Sequence, residues 1–181
     1  MARPQVENEI ELSGCFSARF IALDIETSGL SPEGGGEIIE IAAVELLEPR
    51  KFGKLLHSRI RSKTAMSKAA EDVVGFTNCD LDGAPAFAEL AEDLVEFLSD
   101  ATIVGIGTEF DRAFLNAELA EAGYGVMAPA NFLDVSPFIP EEIQRSGMQA
   151  INDWAGCAGG GALATEVVAG AFWRIRKETG V

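Results

Sequence analysis

The sequence predicts one α/β domain, a mixed five-stranded sheet flanked by helices. Three observations lead there. Short apolar runs at residues 20–25, 38–46 and 51–60 follow one another with only loops between, as strands of an antiparallel meander do. Beyond residue 64 helical and strand patterns interleave, which places helices over the sheet. The chain has 181 residues and is 48% hydrophobic, the length of one ordinary domain and enough to bury a core without disulfide staples.

Each element has its own signal. Residues 1–16 are a polar lead with Pro4 and read as a flanking arm, leaving 17–181 as the domain. FIALDI at 20–25 is a buried strand, and SGLSPEGGGE at 28–37 is an open loop dense in Gly and Pro. IIEIAAVEL at 38–46 and KFGKLLHSRI at 51–60 are the next two strands. A short helix over 64–75 has Thr64 as its expected cap and Gly75 as its stop. The clearest helix is 85–98, where Phe87, Leu90, Leu94, Phe97 and Leu98 recur at helical spacing behind Pro85. TIVGIG at 102–107 is a buried strand, and 111–123 is a helix closed by Gly123. FLDV at 132–135 is a short strand, small helices follow around 140–156, and 165–178 is the closing helix.

Composition narrows the setting. The 14 Lys and Arg stand against 29 Asp and Glu, a net charge of −15. Such a chain repels a polyanion at long range, which disfavours a broad non-specific grip on duplex nucleic acid. Bound metal ions would reverse the sign locally. No apolar run approaches the ~20 residues that span a bilayer, so no membrane partner is expected. The opening residues, with one early Arg and then acids, do not resemble a secretory leader. Cys15, Cys79 and Cys157 are far apart and odd in number, so the expected compartment is a reducing cytoplasm. The single histidine, His57, excludes any site that needs two.

Asp24 and Glu26 sit two residues apart at the end of the first strand, so their side chains share one face. Two carboxylates there require either a neutralised partner or a bridging cation. Mg²⁺ or Mn²⁺ suits such oxygen donors. The alternative is a solvated strand end paired with Lys or Arg. Asp111, near a helix start, reads in isolation as a cap or first-turn acid. Glu40 interrupts IIEIAAV and faces either the edge, solvent or a polar pocket.

FIALDIETSGL at 20–30 resembles the first motif of the DEDD-type, DnaQ-like 3′–5′ exonucleases. The resemblance continues in order through IIEIAAVEL, the Gly75-Phe76-Thr77 helix ending, the Pro85 helix, VGIGTEFDRAFL at 104–115 and FLDV. It covers residues 18–175 approximately and implies an RNase H-like fold. It also implies phosphodiester hydrolysis with one or two Mg²⁺ or Mn²⁺ ions. By position, Asp24, Glu26 and Asp111 would be catalytic metal ligands. Thr27 and Leu30 would lie near the terminal nucleotide. The implied partner is a single-stranded 3′ end or short oligonucleotide, with a polymerase or a second copy as further partners.

The sequence departs from the family pattern in its third motif. Where a His and an Asp should stand, one register gives Gly156 and Gly161 within GCAGGGALAT. In the other, WAGC is the usual apolar-Gly turn and the His-bearing loop has been shortened away. Both registers remove both residues. Ile106 and Gly107 replace a frequent His-Asn pair in the second motif. Loss of a general base typically costs 10²–10⁴-fold in rate, and His57, on the third strand, is not placed to substitute. Three readings follow. One is an exonuclease domain, working with a different acid or one metal, whose activity is weak or absent. Another is a catalytically inactive nucleic-acid-binding or subunit-interaction module. An acidic domain holding a structural ion is the third.

Overall fold

The computed structural model describes residues 19–49, 51–156 and 164–179. β1 (Phe20–Thr27), β2 (Ile38–Glu48) and β3 (Lys51–Arg59) form the expected meander. β4 (Thr102–Gly105) and β5 (Phe132–Asp134) complete a five-stranded sheet in the order β3-β2-β1-β4-β5. β1 runs antiparallel to β2 and parallel to β4, so it lies where the connections change direction across the sheet. In open α/β sheets that switch point, at the carboxyl ends of the strands, is where ligands bind.

Alternation along β1 separates two cores. Ile21, Leu23 and Ile25 face α2 (Phe87–Leu98) and α3 (Thr108–Glu121), where Leu94, Leu98, Phe114 and Leu115 are buried. Ala22 faces the other way with Val44 and Val104, against α5 (Met148–Ala155) and α6 (Ala164–Thr179). The remaining helices, α1 (Lys68–Val74) and α4 (Glu141–Arg145), are short. α6 sets the Phe172 ring 4.9 Å from Phe20, and the Arg176 guanidinium lies 5.4 Å from that same ring. The C-terminal half of α6 therefore meets the start of β1.

Several boundaries differ from the sequence expectation by a residue or more, with β2 running on to Glu48 and β4 ending at Gly105, and three of the differences have a local cause. β1 continues to Thr27, which pairs with Ile38 across a bulge at Ile39 of β2, opposite the Glu26–Thr27 step. The cap of α1 is Ser67, whose hydroxyl accepts from the Ala70 amide, rather than Thr64. α3 starts at Thr108 and not at Asp111, because Gly107 takes a left-handed conformation (φ 75°) that turns the chain early. Among the described residues no helix is long and apolar enough to cross a membrane.

Candidate active site

The pleat of β1 puts Asp24 and Glu26 on the face that Ala22 buries. Asp24 stands opposite Ala42 and Glu26 opposite Glu40 on β2. Asp111 arrives from the first turn of α3 and is 7% exposed. Gly105 lets it approach. A Cβ at that position would come within 2.8 Å of Thr108 Cγ2, 3.3 Å of Asp111 Oδ2 and 3.5 Å of the Leu23 carbonyl oxygen. We expect Gly105→Ala to displace the start of α3 and Asp111 with it. The cost should be about 1–3 kcal/mol, read by chemical unfolding, with divalent-ion affinity lowered in parallel.

The acids act on one another. Burial pushes Asp24 up to about 7, with further lift from Glu26 and Glu40. Burial pushes Asp111 up to about 8, and Asp24, Asp134 and Glu26 add to it. Glu26 is raised by burial and by Glu40. The structure thus brings the three predicted acids into one electrostatic neighbourhood. None of the three has an ion-pair partner among the described residues.

Two further acids belong to this neighbourhood. Asp134, the last residue of β5, accepts the Gly107 amide at 3.1 Å and the Ser136 amide at 2.8 Å through Oδ1. Its signal in the sequence was that of Asp24, an acid ending an apolar strand. Glu40 takes up the cross-strand position beside Glu26 and accepts from His57 Nε2 at 3.1 Å. Its side chain therefore points to the sheet face that carries the acids.

Chemically this donor set suits a hard divalent cation, since it offers carboxylate oxygens whose charge is otherwise uncompensated. Among the described residues no group of three or more His, Cys, Asp or Glu is closed around a point where an ion could sit. Carboxylates that raise one another's proton affinity repel, and have no cause to close together until a cation draws them in.

The remaining predicted positions fall in different places. Thr27 is half-buried, and its hydroxyl donates to the Gly29 carbonyl at 2.8 Å. Leu30 is 94% exposed in the loop after β1. Gly156 is the left-handed cap of α5 (φ 76°), a conformation that favours glycine and strains any other residue. Gly161 lies outside the described residues. Asp153 accepts from Gln149 Nε2 at 3.0 Å along α5 and joins none of these acids.

The family model described as Exonuclease matches residues 21–153. The chain belongs to this exonuclease family. Its sheet and helices are the RNase H-like fold of the DEDD-type, DnaQ-like exonucleases. The family match stops short of Gly156. Over 104 residues the exonuclease domain is 38% identical to the DNA polymerase III subunit epsilon of Rickettsia typhi, covering 58% of this chain and 45% of the relative. It is 31% identical over 106 residues to the 3′-5′ exonuclease DinG of Bacillus subtilis, covering 59% of this chain and 11% of that protein. The chain thus spans less than half the length of these curated relatives. In fold it resembles exonuclease X in complex with 5′ overhanging duplex DNA, with a TM-score of 0.65 and 18% identity, covering 90% of this chain and 93% of that one. It also resembles exonuclease I in complex with an inhibitor, with a TM-score of 0.74 and 14% identity, covering 91% and 42%.

Proposed function

We propose that this chain is a metal-dependent 3′–5′ exonuclease domain acting on single-stranded nucleic-acid ends, with turnover held low by its altered third motif. One observation supports this above the others. Asp24, Glu26 and Asp111 share one neighbourhood at the carboxyl ends of β1 and β4, with Glu26 raising the proton affinity of Asp24, both raising that of Asp111, and none having an ion-pair partner among the described residues.

These three acids would hold Mg²⁺ or Mn²⁺, with Asp134 beside them. A bound ion supplies an activated water and stabilises the leaving oxygen. The chain's own part is to present the donors and release protons. Near pH 7 Asp111 is mostly protonated and Asp24 about half protonated, so loading the site displaces protons and tightens as pH rises. Thr27 and the exposed Leu30 flank the loop where the terminal nucleotide would rest. Gly156 offers no side chain to take a proton from water, and Gly161 none to hold an ion. The relatives named as polymerase subunits support a place beside a polymerase, in the cytoplasm.

The test is degradation of 5′-labelled single-stranded DNA and RNA with and without Mn²⁺. Slow shortening from the 3′ end that requires Mn²⁺ is the expected result. Strand binding with no shortening would replace this reading with that of an inactive binding module.

A further inference from the structure

We propose that Arg59, steadied by Glu40, Asp80 and Phe76, is the seat for a backbone phosphate of the single strand entering the carboxylate end of the sheet. This rests on the reading that a nucleic-acid strand is the substrate.

Register places the seat. His57 stands opposite Ala42, which stands opposite Asp24. Arg59 stands opposite Glu40, which stands opposite Glu26. Two rows therefore cross three strands on one sheet face, with acids at one end and basic side chains at the other. At normal strand spacing the ends are about 10 Å apart. The basic end is the open edge of the sheet, because β3 has no outer neighbour among the described strands.

Arg59 is held in place without being satisfied. Its Nε lies 3.6 Å from Glu40 Oε1 and its Nη1 3.8 Å from Asp80 Oδ1. Its guanidinium lies 4.6 Å from the centre of the Phe76 ring. These contacts fix its direction, yet both polar ones are beyond hydrogen-bonding distance. Among the described residues its five N–H donors make no hydrogen bond, and the side chain is 42% exposed.

The neighbouring acids are engaged elsewhere. Glu40 Oε1 accepts from His57 Nε2, and Asp80 Oδ2 accepts the Thr77 amide at 2.7 Å and hydroxyl at 2.8 Å. A carboxylate only accepts, so Nε2 of His57 carries its proton. The result is a pre-oriented guanidinium fork with free donors. Such a fork suits an oxyanion with two accessible oxygens, which a phosphodiester is.

Basic residues concentrate in this part of the sequence. Half of the chain's 14 Lys and Arg fall between Pro49 and Ala70, a stretch without one Asp or Glu, in a protein of net −15. Lys51, also on β3, is exposed and paired only with Glu48 at 3.6 Å among the described residues. The edge thus attracts a backbone that the rest of the surface repels.

Fluorescence anisotropy tests this, with labelled oligothymidylate and Ca²⁺ in place of Mn²⁺ across a salt series. Arg59→Gln should weaken binding roughly five- to tenfold. It should also lower the slope of log affinity against log salt by about 0.7, the value for one phosphate contact on a single strand. Arg59→Lys should recover part of the affinity. Arg145→Gln, on α4 and paired with Glu141, should change neither quantity. Unchanged binding in Arg59→Gln overturns the proposal. So does an equal loss in Arg145→Gln, or a wild type that binds no strand.

The exonuclease reading is judged separately, by hydrolysis with Mn²⁺. Strand binding with the expected Arg59 dependence but no hydrolysis leaves the seat standing and removes the nuclease. Hydrolysis with binding indifferent to Arg59→Gln does the reverse.

Discussion

Asp24→Asn is expected to abolish Mn²⁺-dependent strand shortening and, in the same protein, to raise the melting temperature without metal at pH 8. The two effects have one origin. Asp24 is a half-buried acid with Glu26, Glu40 and Asp111 near it and no ion-pair partner among the described residues to offset it. Above pH 7 its charge opposes folding, and the amide removes that charge at nearly constant shape. A gain on the order of 5 °C is expected for a chain of this size. The same charge is what a divalent ion requires. A ligand to a catalytic ion contributes several kcal/mol, so turnover should fall on the order of a thousandfold. Melting curves and oligonucleotide assays on one preparation read both. A variant losing activity and stability together would mark Asp24 as a folding residue instead.

The metal-free wild type should lose stability as pH rises from about 4 to about 8, and Mn²⁺ should restore it at the upper end. Asp24 and Asp111 rise from 3.8 in the open chain to about 7 and about 8 in the fold. Below pH 4 both states hold the protons, and these groups contribute nothing to the difference. Between the open-chain and folded values the unfolded chain has released protons that the fold retains, so unfolding gains with each step in pH. Above pH 8 both states are ionised and the slope flattens. The total loss, summed over the two groups, is at most on the order of 10 kcal/mol. Chemical unfolding across this range, with and without Mn²⁺, measures it. Asp111→Asn should flatten the metal-free profile. A flat profile in the wild type would mean that these acids are not coupled as described.

How far the sequence reaches can be seen residue by residue. Strands β1, β2 and β4 are readable because each is built on a short apolar run, and β3 because it follows them at meander spacing. Helix α2 was readable because its apolar residues keep strict spacing. Asp24 and Glu26 could be placed on one face because a strand's period is two. Asp111 was harder to place, since its position depends on Gly107 turning left-handed and on Gly105 leaving space, and neither shows in a hydrophobic pattern. Glu40 was ambiguous for a different reason. Its direction depends on the bulge in β2 and on pairing with β1, a long-range property. Asp134 lay in a strand of only three residues, too short for alternation to say which way its end points. The hold on Arg59 joins residues from β2, β3 and the segment after α1, and no local window contains them all.

All five acids of the candidate site are in place by residue 134, before α4 begins. α5 ends in a glycine turn and is anchored through Ile151, while α6 resumes at Ala164 and is anchored through Val167 and Val168. Both stems are therefore seated independently of whatever joins them. A segment transplanted from an active relative, bearing its own histidine and aspartate, would be spliced between two fixed posts. On the proposed reading of low turnover, the scaffold is in this sense receptive to gain of activity by exchange of a single connection.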